Sequence, residues 1–74
     1  MDNSHPPGAF VAHTGTDVYG PGKVLGVEGD WRRVRFVHFV ASVRACDLRA
    51  ASTAEAAEIE FWLDRQRRRY GGRW

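Results

Sequence analysis

The sequence lacks most of the materials from which small stable domains and catalytic sites are usually made. It has a single cysteine, Cys46, so no disulfide can form within the chain. A lone thiol fits a reducing compartment better than an oxidising one. No base stands near Cys46 in sequence to activate it as a nucleophile, and it is expected to be a small buried hydrophobe. The three histidines, His5, His13 and His38, lack metal-ligand spacing, and one cysteine cannot complete a zinc site. No metal or other cofactor is therefore expected. No apolar run approaches the ~20 residues that cross a bilayer. The opening stretch, residues 1–8, lacks the basic and apolar regions of a signal peptide. A cytoplasmic protein with no membrane contact is the expectation. Gly20-Pro-Gly-Lys23 has neither the spacing nor the following Ser/Thr of a P-loop, and it reads as a turn. With no catalytic constellation in view, the chain is expected not to be an enzyme.

Lysine is also nearly absent. Of eleven basic residues ten are Arg, and only Lys23 is Lys, against nine acidic residues and a net charge of +2. That net charge alone does not point to nucleic acid. A GC-rich coding sequence accounts for much of an Arg bias, yet Arg also supplies a planar fork suited to phosphate and carboxylate. At 74 residues the chain suffices for one domain, and a domain of this size buries only about 60% of its unfolded surface.

Three segments follow from the local patterns. Residues 1–15 are rich in Pro, Gly, His and small polar residues without sustained period, and they are expected to be a mostly flexible arm with Phe10 docked on the core. Residues 16–51 read as β. Thr16–Tyr19 is β-favouring, Gly20-Pro-Gly22 is a turn, and Lys23–Glu28 is a strand in which Gly26 marks a bulge or a close backbone approach. Gly29-Asp30 reads as the turn of a hairpin. Trp31–Phe39 alternates, with Val34 and Phe36 on one face and Arg33 and Arg35 on the other. Val40–Ala45 is a further strand, and Cys46–Arg49 is a turn feeding a short last one. Four or five short strands in so few residues make a small bent barrel, which also hides sheet edges. Residues 52–71 read as a helix. Ser52-Thr-Ala-Glu55 is a capping box. Ala56, Ile59, Leu63, Gln66 and Tyr70 form the inward stripe with Trp62 at its edge, and Gly71-Gly72 ends it. The mainly β class, with one C-terminal helix that packs on the barrel or mediates self-association, is the resulting expectation.

The stretch from Val18 to Phe36 resembles the Tudor-like, SH3-like barrel at the C-terminus of UvrD/PcrA-type DNA helicases. It is similar, more loosely, to the polymerase-interacting domain of CarD-type transcription regulators. The matching residues are Val18, Gly20, Gly22, Val24, Val27, Gly29, Asp30, Val34 and Phe36, and Val43–Arg49 is similar to the closing segment of those barrels. The resemblance covers about 35 residues, roughly half the chain; these 74 residues contain no helicase sequence, and the Arg-rich helix lies outside the helicase-tail pattern. It implies a domain that docks on RNA polymerase or lies beside DNA.

Two surfaces are candidates. One is the outward β face with Arg33 and Arg35, expected to be joined by Arg32, Arg44 and Arg49, continued by Val37 and Phe39, and flanked by Trp31 and Tyr19. Arg beside exposed aromatics suits nucleic acid through phosphate pairing and stacking; it also suits an acidic protein, or simply water. The other is on the helix. Phe61 is expected on the side opposite Ile59, with Ala54, Ala57, Arg65 and Arg68, as an interface anchor. Arg65, Arg67, Arg68, Arg69 and Arg73, with Tyr70 and Trp74, concentrate positive charge beyond it. The leading expectation is a non-enzymatic module of transcription or DNA repair that docks on RNA polymerase or DNA. The alternative is a protein–protein adaptor or small inhibitor, of the kind phages and mobile elements encode, acting through the Phe61 face as a homodimer.

Overall fold

The computed structural model describes residues 4–16 and 18–71. They form five strands in one antiparallel sheet and one helix: β1 (Phe10–His13), β2 (Pro21–Glu28), β3 (Trp31–Phe36), β4 (Val40–Arg44), β5 (Leu48–Ala50) and α1 (Thr53–Tyr70), with a 3-10 turn at Ala45–Asp47. The strand order is β4-β3-β2-β1-β5. The class is mainly β with a C-terminal helix, as the sequence implies, and the order is consistent with an SH3-like barrel. Among the described residues no ladder joins β4 to β5.

The β2–β3 hairpin follows the local chemistry. Glu28 pairs with Trp31 across the two-residue turn Gly29-Asp30, and Gly29 has φ 58°, a left-handed conformation that costs glycine little. The register slips between Val24 and Gly26, so Leu25 is the extra residue of a bulge that bends β2. Gly22 has a different role. A Cβ there would lie 2.7 Å from Val34 Cγ1 and 2.9 Å from Phe36 Cδ1, so its bare backbone lets β2 close over the core.

That core comprises Val11, Val24, Val34, Phe36, Val43 and Leu48. A second layer lies on the opposite face of the sheet. Alternation turns Ala12 away from Val11, yet Ala12 is buried too, because α1 packs across β1 and β2. Ile59 and Leu63 are the fully buried residues of that helix, each contributing about 1.5–3 kcal/mol relative to exposure. The capping box is present: Ser52 Oγ accepts from the Glu55 N–H, and Glu55 Oε1 accepts from the Ser52 N–H. The same carboxylate also accepts two hydrogen bonds from Arg49 of β5, at 2.7 and 2.9 Å.

The structure corrects several expectations. Residues 1–15 are not an arm as a whole, because Phe10–His13 is a strand hydrogen-bonded on both sides, to β2 and to β5. Four residues are too few to display a period, so the pairing of Val11 with Gly22 and Ala50 leaves no sequence trace. Thr16–Tyr19 is not a strand. Val18 is 85% exposed in a turn in which its N–H is held by Thr16 Oγ1; Asp17 lies outside the described residues. Tyr70 is not on the buried stripe but 65% exposed, since the helix runs past the sheet by its last turn. Cys46 is exposed rather than buried, because the 3-10 turn turns inward Ala45, not its neighbour. Gly72, Arg73 and Trp74 lie outside the described residues.

Candidate binding face

The pairing of β2, β3 and β4 decides which of the predicted site residues share a surface. On β3 the side chains alternate between buried Arg32, Val34 and Phe36 and outward Trp31, Arg33 and Arg35. Their outward cross-strand neighbours follow from the register. Arg35 lies between Lys23 and Val40, Arg33 between Gly26 and Ser42, and Trp31 between Glu28 and Arg44. Direct cross-strand neighbours sit within about 5.5 Å at Cβ. Lys23, Arg33, Arg35, Arg44 and Trp31 therefore share one face that is largely basic, with Glu28 beside Trp31. Lys23 is a member that sequence reasoning missed, since only the register places it beside Arg35.

Trp31 is 44% exposed, and the Arg44 guanidinium lies 5.1 Å from its ring centroid. That cation–π contact holds the indole against the strand while leaving area open. Next to it is a depression of about 140 Å³ lined by Gly26, Val27, Glu28, Trp31, Arg33 and Ser42. Its floor is the bulge in β2, where Gly26 has no side chain and a Cβ would meet nothing within 4 Å. A larger hollow of about 250 Å³ lies on the other side of Trp31, between Tyr19, Arg44 and Asp47.

Arg32 is the major correction among the predicted site residues. It is fully buried, on the Val34 and Phe36 side of β3, where it meets no partner from solution. Its Nε donates to Ser4 O at 2.9 Å and His5 O at 3.2 Å, and its Nη1 to Gly29 O at 2.7 Å and Trp31 O at 3.0 Å. The guanidinium thus ties the segment before β1 to the β2–β3 turn, and His5 Nε2 adds a bond to Leu48 O at 3.2 Å. Two adjacent arginines read alike in sequence. The one-residue difference in strand phase sends one to the interior and the other to solvent.

Phe39 does not continue the basic face either. β3 ends at Phe36, and the chain turns so that Phe39 stacks with Phe36 at 5.2 Å and with Tyr19 at 5.0 Å. Tyr19 also meets His13 and Phe36, which makes an aromatic plug at one end of the core. His38 sits exposed in the same turn. On the helix, Phe61 is 65% exposed with the Arg65 guanidinium 5.9 Å from its ring. Arg68 pairs with Asp64 at 3.0 Å, and Arg69 lies over Tyr70. Arg65, Arg68 and Arg69 thus each have a neighbour on their own helix.

Among the described residues no group of three or more His, Cys, Asp or Glu could hold a metal ion. No helix of the described residues is long and apolar enough to cross a membrane. Set against family models, curated proteins and solved structures, the chain matches none.

Proposed function

We propose that this chain is a non-enzymatic, cytoplasmic binding module that engages nucleic acid through the outward face of β2, β3 and β4. One observation carries the reading: the register sets Lys23, Arg35 and Arg33 in a row on one face that ends at exposed Trp31, which has Arg44 on one side and Glu28 on the other. Arg33 and Arg35 lie two residues apart on β3 with Lys23 and Arg44 on the strands to either side; such a group of cations suits pairing with phosphates, and the indole at the end of the row offers a stacking platform for an unpaired base. The resemblance of Val18–Phe36 to helicase-tail and polymerase-interacting barrels suggests transcription or DNA repair as the setting. An acidic surface of RNA polymerase is the competing ligand for the same face.

Fluorescence anisotropy of labelled single-stranded and duplex DNA across a salt series tests it. If each of the four cations neutralises one phosphate, log K falls against log salt with a slope of about −3.6 for duplex and about −2.8 for single strands. The double variant Arg33→Ala/Arg35→Ala lowers the duplex slope by about 1.8. No binding at low salt removes nucleic acid and turns the assay to purified RNA polymerase.

A second reading, an adaptor or small inhibitor acting through the helix, is favoured by the exposure of Phe61.

A further inference from the structure

We propose that the outward face of α1 is a homodimer interface, covered by a second copy of this chain whose helix runs antiparallel. The proposal stands apart from nucleic-acid binding, because it uses the helix and not the sheet face.

The buried side of α1 is satisfied within the chain: Ile59 is 0% and Leu63 1% exposed. The opposite side carries Phe61, 65% exposed, with exposed Ala54 and Ala57 within two turns before it. Small residues beside a large aromatic let another helix approach closely and receive the ring.

Charge identifies the occupant. From Thr53 to Phe61 the helix carries Glu55, Glu58 and Glu60 and no base; from Trp62 to Tyr70 it carries Arg65, Arg67, Arg68 and Arg69 and one acid, Asp64. Asp64 is engaged by Arg68. The helix macrodipole acts within the first and last turns, whereas Glu58, Glu60 and Arg65 lie between them. A partner of uniform charge is opposed by one half of this helix or the other. A parallel copy sets Arg against Arg. An antiparallel copy sets the acidic half of each helix against the basic half of the other.

The midpoint of α1 falls between Phe61 and Trp62. A two-fold axis there exchanges Glu58 with Arg65, so each ion pair forms twice, as an isologous interface requires. It also places Phe61 of one copy beside the half-buried Trp62 of the other. One face of an 18-residue helix, about 27 Å long, lies at the small end of specific interfaces. The dimer is therefore concentration-dependent.

Sedimentation equilibrium and light scattering over a concentration series test this on the full chain. The unaltered chain shifts from monomer to dimer as concentration rises. Phe61→Asp stays monomeric, and Glu58→Arg and Arg65→Glu each weaken the dimer by at least about tenfold. The combined Glu58→Arg/Arg65→Glu chain dimerises again, and the two single variants, mixed, form a heterodimer. Circular dichroism reports that these exposed substitutions leave the fold in place. A chain monomeric at every soluble concentration overturns the proposal. So does a dimer that survives Phe61→Asp, or a combined variant no better than the singles. Each readout is a mass, so failure leaves the nucleic-acid reading standing.

Discussion

Arg32 and Arg33 are adjacent in sequence and opposite in placement, and replacing each with Ala separates a structural arginine from one on the proposed binding face. Among the described residues the Arg32 guanidinium donates from Nε and Nη1, each shared between two carbonyl oxygens. Counting each shared donor once, at ~1.5–3 kcal/mol for a bond from a charged group, the loss is ~3–6 kcal/mol. Carbonyl oxygens left without a partner in a fully buried site add to it. A chain of 74 residues has a total stability of ~4–11 kcal/mol, so Arg32→Ala removes a large part of it. At ~4–8 °C per kcal/mol the melting temperature falls by roughly 12 °C or more. Urea unfolding gives the magnitude. Hydrogen exchange at the Gly8 amide, which donates to Val24 O at 2.8 Å, shows whether the segment before β1 detaches. Arg33→Ala, at an exposed position, stays within ~0.5 kcal/mol while weakening DNA binding. If the two variants unfold at the same urea concentration, the interior role assigned to Arg32 is wrong.

Three further outcomes are expected. Gly22→Ala drives a methyl against Val34 and Phe36 and costs ~1–3 kcal/mol by thermal unfolding; an unchanged melting temperature would show that β2 moves freely away from the core. Ile59→Ala opens a cavity between α1 and the sheet and costs ~2–5 kcal/mol, whereas Phe61→Ala on the outer side leaves monomer stability nearly unaltered, as chemical unfolding of dilute protein reports. Glu55 is held at about 2 against an ordinary 4.5, chiefly by its hydrogen bonds with Arg49 and then by the Ser52 N–H. Because the folded-state value is the lower one, its contribution is complete above pH 4.5 and is lost as pH falls toward about 2. Stability measured across that interval declines in the unaltered chain and is flatter in Glu55→Gln; parallel curves would refute the assignment.

Where the chain speaks in strong local signals, sequence and structure agree. The Gly29-Asp30 turn, the bulge at Gly26 and the Ser52–Glu55 capping box each depend on residues within a few positions of one another, so their chemistry is legible without the fold. A short last strand after Cys46 was legible too, although it begins at Leu48, inside the expected Cys46–Arg49 turn, because β1 pairs with it there. What escaped reading was set by distance. Phe10–His13 becomes a strand only because β2 and β5 offer hydrogen bonds on both sides. Arg32 looks like its neighbours until the phase of β3 turns it inward, where carbonyls of the chain's start and of the β2–β3 turn meet it. The basic face was half legible. Alternation identified Arg33 and Arg35, while Lys23 and the stacking of Arg44 on Trp31 needed the register. Tyr70 failed for a geometric reason, since a helical stripe is buried only as far as there is sheet beneath it.

The Glu55 carboxylate has a meaning beyond its pKa. It closes the first turn of the helix through Ser52 and grips Arg49 of a strand that pairs with β1. Starting a helix is the unfavourable step of its formation, and bringing distant strands together is the slow step of a sheet. One side chain serves both. Residues 48–55 therefore act as a hinge of cooperativity: the helix is nucleated best when β5 is in place, and β5 is anchored best when the helix has begun. A domain with so little interior has few means of behaving as a single unit, and this exposed carboxylate adds a modest local link between the last strand and the first turn of the helix.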